Sequence, residues 1–404
     1  MSYEIATTGL DAVNAQLDGI SNNIANAGTV GYKSETTQFS AMYAGTQAMG
    51  VSVSGTAQSI SRGGSMVSTG NALDLGINDD GFFMMSDSAG NVTYTRAGSF
   101  ITDKDGYITN AEGDHLQGYP ANADGTVQTG TVTDLQIQTG NIPAEATSSV
   151  DFVANFDASD EVPEVTPFDP ADQNSYNDTY TTTVYDSLGD EHSFSQYFVK
   201  DDTNEWTVYY TIDGSTDGVT PASTTLDFNE DGTLDLTNST DGSSGQQQIT
   251  FSPAGANPVT MSIDYSQCTQ FGTAFSVTTN SADGFPSAQQ NGVQVDGDGK
   301  VYATYSNGER MLQGQIVLAT FPNENGLEAV SGTAWVETGE SGTPLLGTPG
   351  MGSCGTLSSG MLESSNVDLT QELVSLMTAQ RNYQANTKVI STDSQLDQAL
   401  FQAM

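Results

Sequence analysis

The sequence predicts a mainly β protein with α-helical ends. In the predicted architecture, nested and discontinuous domains place terminal coiled-coil helices around two antiparallel β domains of the barrel or sandwich type. Three observations support it. Hydrophobic heptads occur at both ends of the chain, Asp-Gly and Asn-Gly dipeptides are spread through the middle, and a length of 404 residues is enough for two or three domains with cores of their own.

The first element is a helix near the N-terminus. Between residues 6 and 27, hydrophobic side chains recur at alternating steps of three and four, which is the a/d pattern of a coiled coil. This stripe consists of Ala6, Leu10, Val13, Leu17, Ile20, Ile24 and Ala27. Gly19 lies inside the helix and costs it about 1 kcal/mol relative to alanine, so the helix needs a packing partner.

The last element is a second helix that mirrors the first. Ser365 and Asp368 have the pattern of a helix start. Hydrophobic residues then follow a heptad repeat: Leu369, Leu373, Leu376, Tyr383 and Ile390. Such narrow stripes can be covered in two ways. The two helices can pair with each other as an antiparallel hairpin, or they can pack against helices of other subunits, and the pattern fits both.

The middle of the chain is predicted to be antiparallel β structure. Of fourteen Asp-Gly or Asn-Gly dipeptides, thirteen lie between Asp80 and Gly326, where they indicate hairpin turns because these residues tolerate positive φ. The β-type runs between the turns are 81–85, 92–96, 180–185, 192–199, 206–212, 259–265, 301–305 and 314–321.

Composition divides this β region into parts. Residues 146–284 contain 23 acidic residues and a single base, Lys200, whereas the flanking segments are less acidic. We therefore predict three nested domains. They are a terminal helical coiled-coil domain with a connecting segment (1–70 plus 359–404), a middle β domain (71–145 plus 285–358) and an inserted outer acidic β domain (146–284).

Charge and composition exclude several functions. The chain has 50 acidic and 9 basic residues, a net charge of −41, and such a surface repels nucleic acids and anionic membranes. No hydrophobic run is long enough to span a membrane. The first twenty residues lack a basic cluster followed by an apolar stretch, so we expect no cleavable signal peptide.

The scarcity of reactive residues argues against catalysis. With two histidines and two cysteines, the sequence predicts no enzyme, no cofactor and no metal site. His115 and His192 have no carboxylate and nucleophile near them in a recognisable pattern. Cys268 and Cys354 are expected to be unpaired thiols, because neither belongs to a motif.

Two short motifs are better explained by loops than by binding chemistry. Residues 227–232, Asp-Phe-Asn-Glu-Asp-Gly, match the first half of an EF-hand calcium loop, but Asn238 stands where a bidentate glutamate is needed, so we predict a hairpin turn. Residues 350–355 match the glycine pattern of a dinucleotide-binding loop. Because the sequence predicts no strand before them and no helix directly after them, we predict a flexible connector.

Long motifs at both ends carry a resemblance to a known family. Residues 21–33, Ser-Asn-Asn-Ile-Ala-Asn-Ala-Gly-Thr-Val-Gly-Tyr-Lys, resemble the N-terminal signature of the bacterial flagellar rod, hook and hook-associated axial proteins. Residues 362–369 and 379–386 resemble the C-terminal signature, and 73–83 and 94–100 are similar to the first β segments of that family. The signature residues are Asn22, Asn23, Asn26, Gly31, Tyr32, Lys33, Asn366, Gln380, Arg381 and Asn386.

The resemblance implies a structural function. The length and the inserted domain favour the hook proteins, whose subunits polymerise into a curved, flexible tube. That tube transmits motor torque to the filament as a universal joint and encloses the export channel. The terminal stripes would then be assembly surfaces, with Leu10, Val13, Leu17, Ile20 and Ile24 packing against Leu369, Leu373, Leu376, Tyr383 and Ile390. Asn22, Asn23, Gln380 and Asn386 would make lateral hydrogen bonds or face channel water.

The same resemblance implies partners and a location. The expected partners are further copies of the chain in a helical homopolymer, the distal rod, hook cap and hook–filament junction proteins, and the flagellar type III export apparatus. Binding of nucleic acid and insertion into a membrane are not expected. The chain would lie in the basal body and hook, outside the cell, and would be exported without a cleavable signal peptide.

Three other hypotheses are compatible with the residues. A distal rod protein of the flagellum is disfavoured by the inserted domain. A secreted, acidic, β-rich, adhesin-like binding protein with a coiled-coil stalk predicts a stable trimer and calcium in the Asp-Gly loops. A secreted hydrolase with paired carboxylates predicts one carboxylate of raised pKa in a cleft, which no motif identifies.

Overall fold

The computed structural model describes residues 2–44, 47–122, 125–237 and 245–403. Helix α1 is Ser2–Ala25 and helix α2 is Leu369–Ala403, and short 3-10 turns occur at Gln173–Ser175 and Glu324–Gly326. The first strands in chain order are β1 Glu35–Ala44, β2 Gln47–Gln58, β3 Met66–Ser68, β4 Leu75–Asn78, β5 Phe82–Ser86, β6 Val92–Thr95, β7 Ile101–Thr102, β8 Ile108–Thr109, β9 His115–Pro120 and β10 Thr133–Asp134.

The remaining strands follow in two groups. The central ones are β11 Ser149–Asp157, β12 Asp178–Tyr185, β13 Glu191–Asp202, β14 Glu205–Ile212, β15 Val219–Thr220, β16 Ser223–Asp227, β17 Gln246–Phe251, β18 Val259–Asp264, β19 Thr269–Phe271 and β20 Ser276–Ala282. The last are β21 Gln290–Val295, β22 Lys300–Tyr305, β23 Arg310–Ile316, β24 Leu318–Thr320, β25 Glu328–Val330, β26 Ala334–Val336, β27 Leu345–Gly347, β28 Thr356–Ser359 and β29 Met361–Glu363. The predicted fold class, mainly β with helical ends, is confirmed.

The chain forms two compact units. The first comprises Met1–Thr139, Asn291–Thr304 and Arg310–Met404, and the second comprises Gly140–Gln290 and Tyr305–Glu309. The finer division into three domains, with boundaries at 70, 145, 284 and 358, stays a prediction.

In the first unit, strands from the two halves of the chain pair with one another. The main sheet follows the order β21-β22-β23-β9-β5-β6-β26-β25, while β4 pairs with β28 and β3 with β29. An aromatic cluster forms part of its core. The ring of Phe82 lies edge-on to Phe321 at 5.9 Å and to Trp335 at 5.7 Å. These pairings bring residues just after α1 close to residues just before α2.

The second unit is a pair of sheets around an apolar core. One sheet contains β12-β13-β14-β16 and the other contains β15-β17-β18-β11-β19, with β20 also on β11. Buried and exposed residues alternate along β11 and β18, as expected for strands with one face on a core. Strand β11 runs parallel to β18 and β19, so two local pairs depart from the antiparallel pattern.

Three local expectations can be compared with the structure. Residues 229–233 form the predicted hairpin turn, in which the Asn229 amide donates to the Thr233 carbonyl at 2.8 Å. Cys268 and Cys354 are unpaired, as predicted. The prediction of a flexible connector at 350–355 is wrong. The Gly350 amide donates to the Gly355 carbonyl, and the Gly355 amide donates to the Asp80 carbonyl at 2.7 Å, so the segment is held against the sheet.

Across the described residues, neither α1 nor α2 has a stretch that is long and apolar enough to cross a membrane.

Candidate functional site

The two terminal helices pair with each other in antiparallel orientation. The amide of Asn23, near the end of α1, donates to Glu372 near the start of α2 at 3.0 Å. At the other end of the pair, a Cβ placed on Gly9 would lie 2.9 Å from the Asn386 amide nitrogen, so glycine permits this close approach. Of the two arrangements compatible with the heptads, the structure therefore contains the intrachain helix pair.

The apolar contact of this pair is small and uses only part of the predicted stripes. Its buried members are Val13, Ile20 and Ala379, with Leu17, Ile24 and Leu376 partly buried around them. Ala379 is fully buried, although the sequence analysis did not select it. Its small side chain lets the helices approach closely, and alanine gives a weak hydrophobic signal in a sequence pattern.

The face of α2 that packs on α1 is rotated around the helix relative to the predicted hydrophobic stripe. Leu369, Leu373 and Tyr383 are exposed, so the expectation that they pack against α1 is wrong for a single chain. Leu10 and Ile390 are half-buried. The contact face of α2 instead follows Glu372, Leu376, Ala379 and Asn386. These positions are separated by four, three and seven residues, which keeps them on one helical face.

A long hairpin, β1–β2, covers another side of α1, and sequence analysis missed it. The Thr37 hydroxyl donates to the Ala15 carbonyl at 3.2 Å, and the Thr8 hydroxyl accepts from the Val51 amide at 3.5 Å. A Cβ on Gly19 would lie 3.3 Å from the Thr37 hydroxyl, which gives this helical glycine a packing role. The hairpin is rich in Ser, Thr, Ala and Gly, and therefore shows no clear alternation of hydrophobic and polar residues.

Asn23 anchors the turn that follows α1. Its side-chain amide donates to the Glu35 carbonyl at 2.8 Å, and its oxygen accepts from the Glu35 amide at 2.9 Å and from the Tyr32 hydroxyl at 3.2 Å. Burial raises the pKa of Tyr32 to about 12. Asn23 is almost fully buried within one chain, so it does not lie on an exposed polar face of α1 as the sequence analysis expected.

A buried ionic cluster joins three distant segments of the chain. The Lys33 ammonium lies 2.7 Å from one oxygen of Glu363, and the Arg96 guanidinium lies 3.5 Å from the other. The Lys33 ammonium also donates to the Arg62 carbonyl at 2.9 Å, and the Gly64 amide donates to Glu363 at 2.8 Å. All three charged side chains are at most 3% exposed. Burial lowers the pKa of Lys33, although the bond to Glu363 opposes this effect.

Asn366 and Gly31 complete the joint between the helix pair and the β structure. The Asn366 oxygen accepts from the Ser34 amide at 2.7 Å, and its amide group donates to the carbonyls of Ser59 and Arg62. Gly31 has φ +70°, and a Cβ there would lie 2.5 Å from the Ala97 amide nitrogen. Only glycine combines this backbone conformation with so close an approach.

The other signature residues lie at the surface or in local contacts. The Asn26 amide group donates to the Asn22 side chain at 2.9 Å, and the Asn22 amide group donates to Glu35 at 3.3 Å. Gln380 and Arg381 are exposed on α2. The structure therefore divides the signature into an intrachain joint around Asn23, Lys33 and Asn366 and an exposed part on α2.

Exposed hydrophobic side chains are concentrated on the terminal elements. Besides Leu369, Leu373 and Tyr383, the exposed members on the helices and hairpin are Tyr3, Ile5, Phe39, Met42, Tyr43, Val53, Val374, Met377, Val389 and Leu396. Exposed apolar side chains concentrated in one part of a chain are typical of a protein–protein contact.

Both histidines have carboxylate neighbours that the sequence pattern did not show. His115 Nδ1 lies 2.8 Å from Asp134 Oδ2, and His192 Nδ1 lies 2.8 Å from Asp213 Oδ2. Asp186, 3.6 Å from His192 Nε2, and Asp213 both favour the charged ring and raise the pKa of His192 against the opposing effect of burial. The His115 contact is partly exposed, whereas Asp186 beside His192 is buried.

Four family models match the chain, in an order that follows the parts described above. "Flagella basal body rod protein" matches 4–33, "Flagellar hook protein FlgE/F/G D1 domain" matches 76–151, "Flagellar basal body protein FlaE D2 domain" matches 155–285 and "Flagellar basal body rod FlgEFG protein C-terminal" matches 358–403. Together with the paired terminal helices, these matches define the class as the rod and hook proteins of the bacterial flagellum.

Full-length relatives specify the member of this class. The chain is 39% identical over 400 residues to the flagellar hook protein FlgE of Escherichia coli (strain K12), and 40% identical over 403 residues to that of Salmonella typhimurium, with 98% of each chain covered in both cases. It is 31% identical over 436 residues to FlgE of Borreliella burgdorferi, with 97% of each chain covered. The chain belongs to the flagellar hook protein FlgE family.

A solved structure agrees with this assignment at the level of fold. The crystal structure of Helicobacter pylori flagellar hook protein FlgE2 matches with a TM-score of 0.56 and 14% identity, over 74% of this chain and all of that one. The predicted function, a structural subunit of the bacterial flagellar hook, is confirmed by the relatives, in preference to the rod and adhesin alternatives.

Proposed function

We propose that this chain polymerises through its terminal elements into the curved, flexible tube of the hook, which acts as a universal joint and encloses an export channel. The observation that carries the proposal is the exposed hydrophobic surface of α2 on the side away from α1. Leu373, Val374 and Met377 are each 51–53% exposed there. In water such a surface is unfavourable, and burial against neighbouring copies would remove that cost.

Two groups of terminal residues would have separate roles in this assembly. Val13, Leu17, Ile20, Ile24 and Leu376 hold the helix pair together inside one chain. Leu369, Leu373 and Tyr383 are exposed and are therefore available to contact other subunits, with Leu10 and Ile390 at the margins. The helix pairs would line the channel, and the acidic unit would lie in an outer layer.

Partners and location follow from the same proposal. The main partner is the chain itself, and the ends of the tube would contact the distal rod, the hook cap and the hook–filament junction proteins. The subunit would leave the cell through the flagellar type III export apparatus. Because each copy carries a charge of −41, assembly should be favoured by salt, which screens the repulsion between copies.

Electron microscopy of the purified chain under high salt tests the proposal. We expect curved tubes from the wild type, and only monomers from a Val374→Glu, Met377→Glu double variant, because two carboxylates would be placed in a dehydrated contact. Leu188→Glu is the control for added surface charge, since Leu188 is 62% exposed and lies in the second unit. Circular dichroism should show unchanged helix content in every variant.

Two results would contradict the proposal. Tubes formed by the double variant at the wild-type concentration would remove α2 from the contact. Discrete trimers from the wild type would favour the adhesin-like alternative.

A further inference from the structure

Charged residues are absent from three long segments of this acidic chain. Residues 36–61 contain no charge over 26 positions, and 242–263 and 341–362 contain none over 22 positions each. In the second unit, the strands of 242–263 bury their hydrophobic side chains in the core, so that segment is explained by folding. The other two segments both lie in the first unit, and neither is explained in this way.

The two uncharged segments of the first unit expose large hydrophobic side chains. On the β1–β2 hairpin these are Phe39, Met42, Tyr43 and Val53. On 341–362 they are Leu345 and Leu346 of β27 and Met351 of the loop that follows. Phe39 lies beside α1, whereas Met42 and Tyr43 lie near the end of β1. We name Met42 and Tyr43 the hairpin surface and the second group the β27 patch. Tyr43 is 67% exposed and Met351 is 69% exposed, so neither surface covers the other within one chain.

The β27 patch is held in place by its surroundings. Strand β27 pairs with β24 along one side, and no strand in the described part of the chain pairs with its other side. The following loop is fixed because the Gly355 amide donates to Asp80 and the Ser353 hydroxyl lies 3.2 Å from the Thr320 hydroxyl. A Cβ on Gly347 would lie 3.9 Å from the Met351 carbonyl, which places Met351 beside the strand. A preformed surface loses little conformational entropy on binding.

Charge limits which surfaces of two copies can meet. Each copy carries a net charge of −41, so contacts between carboxylate-bearing surfaces are repulsive. Two uncharged hydrophobic surfaces can approach without that repulsion and bury apolar area. We propose, resting on the polymerisation proposed above, that the hairpin surface of one copy binds the β27 patch of a second copy.

This contact would have the symmetry that a tube requires. It joins two different surfaces, so each copy keeps one free hairpin surface and one free β27 patch after binding. Such heterologous contacts continue from copy to copy and generate helical assemblies when the rotation does not close. The exposed side of β27 also gives an extended partner segment an edge with which to pair.

A double-mutant cycle on purified chain tests the contact. The variants are Tyr43→Ala, Met351→Ala and the two combined, and the measured quantity is the critical concentration for polymerisation, obtained by sedimentation. Each single substitution should raise it by at least about fivefold, as for residues at the centre of a contact. The double variant should raise it by less than the product of the two increases, because both substitutions weaken the same contact.

The control is Ile101→Ala, since Ile101 is 58% exposed in the same unit but lies outside both surfaces. It should polymerise as the wild type does, and the thermal unfolding midpoint should be the same for all variants because every substituted side chain is exposed.

The possible outcomes separate this inference from the proposed function. A wild-type chain that does not polymerise overturns both. If the wild type polymerises and either single variant matches it, the hairpin–β27 contact is overturned while polymerisation stands. A double variant whose increase equals the product of the single increases shows two independent sites and also overturns the pairing. Since only this chain is present, the result cannot arise from another flagellar protein.

Discussion

The terminal region comprises α1, α2, the β1–β2 hairpin and the joint that connects the helix pair to the β structure. It and the second unit distribute polar and apolar side chains in opposite ways. The second unit buries a continuous aromatic and aliphatic core, with Phe152, Phe156 and Trp206 fully buried, and carries most of its acidic residues outside. The terminal region buries a lysine, an arginine, a glutamate and two asparagines, and exposes leucine, valine and methionine. The difference indicates that the second unit is complete within one chain, whereas the terminal region keeps apolar surface for other copies.

The two regions should therefore respond differently to substitution. In the second unit, stability depends on apolar packing, so removing a buried ring should lower stability without affecting assembly. In the joint of the terminal region, stability depends on bonds between distant segments, so removing one buried polar group should affect both stability and assembly. The four predictions below test this contrast, from the largest effect to the smallest.

The largest effect is expected in the second unit. The Phe156 ring lies 5.1 Å from Phe198, 5.2 Å from Trp206 and 5.4 Å from Phe228. Phe156→Ala leaves a cavity among these rings and should lower the free energy of unfolding by about 3–5 kcal/mol. Urea unfolding measures the loss, and Phe271→Ala is the control, because Phe271 is about half exposed. Tubes should still form from the folded Phe156→Ala variant, and their loss under conditions where it remains folded would contradict the contrast.

The next effect concerns the buried ionic cluster. Glu363→Gln removes the carboxylate that contacts the buried charges of Lys33 and Arg96 and should lower the free energy of unfolding of the first unit by about 3 kcal/mol. Glu340→Gln is the control, because Glu340 is exposed.

Adding Lys33→Met to Glu363→Gln should cost less than the sum of the two single losses. Additive losses in urea unfolding would mean that the 2.7 Å contact between these side chains contributes nothing to stability.

A smaller effect separates two neighbouring asparagines. Asn23→Ala removes the hydrogen bonds to Glu35, Tyr32 and Glu372 in a buried site and should cost about 2 kcal/mol. Asn22→Ala, at an exposed position in the last turns of α1, should cost less than about 0.5 kcal/mol. Equal losses in thermal unfolding of the two variants would show that burial of Asn23 does not determine its role.

The smallest effect is a pH dependence in the second unit. Burial and the carboxylates of Asp160 and Asp157 raise the pKa of Asp178 from 3.8 to about 6. The folded chain therefore holds this proton more tightly than the unfolded chain, and the resulting stability is complete below pH 3.8 and lost as the pH rises through 6. Asp178→Asn should raise the melting temperature relative to the wild type at pH 8, and raise it by clearly less at pH 4.5, where the wild-type carboxyl is still largely protonated in the folded chain.

Asp151→Asn is the control for this measurement, because Asp151 is exposed on β11 of the same unit. An Asp178→Asn variant with a melting temperature below that of the wild type at pH 8 would contradict the predicted direction of the effect.

The ends and the middle of the fold can be predicted from the sequence because their signals are local. Heptad spacing predicts α1 because Val13 and Ile20 fall on one helical face. Asp-Gly and Asn-Gly turns predict the strands between them. The β1–β2 hairpin was not predicted, because Thr, Ser, Ala and Gly leave no regular alternation in 35–58. The face of α2 was misplaced because the contact is centred on Ala379, which hydrophobic patterns underweight.

The joint was only partly predictable. The family resemblance selected Asn23, Lys33 and Asn366, but it did not show that they are buried and bonded within one chain. Glu363 and Arg96 were not singled out, although both lie inside or beside recognised motifs. Their roles depend on pairing between segments about 270 to 330 positions apart, and no local pattern in one sequence determines which distant charge a buried lysine meets.

The bond between Lys33 and Glu363 also means that the terminal structure can form only when both distant parts of the chain are present. These residues are 330 positions apart, and Asn23 and Glu372 are 349 apart. A chain cut short anywhere before residue 363 would leave Lys33 without its carboxylate and α1 without α2. Products that end before residue 363 therefore lack the joint even if their second unit folds, and the paired helices need a chain that extends through the contact residues of α2.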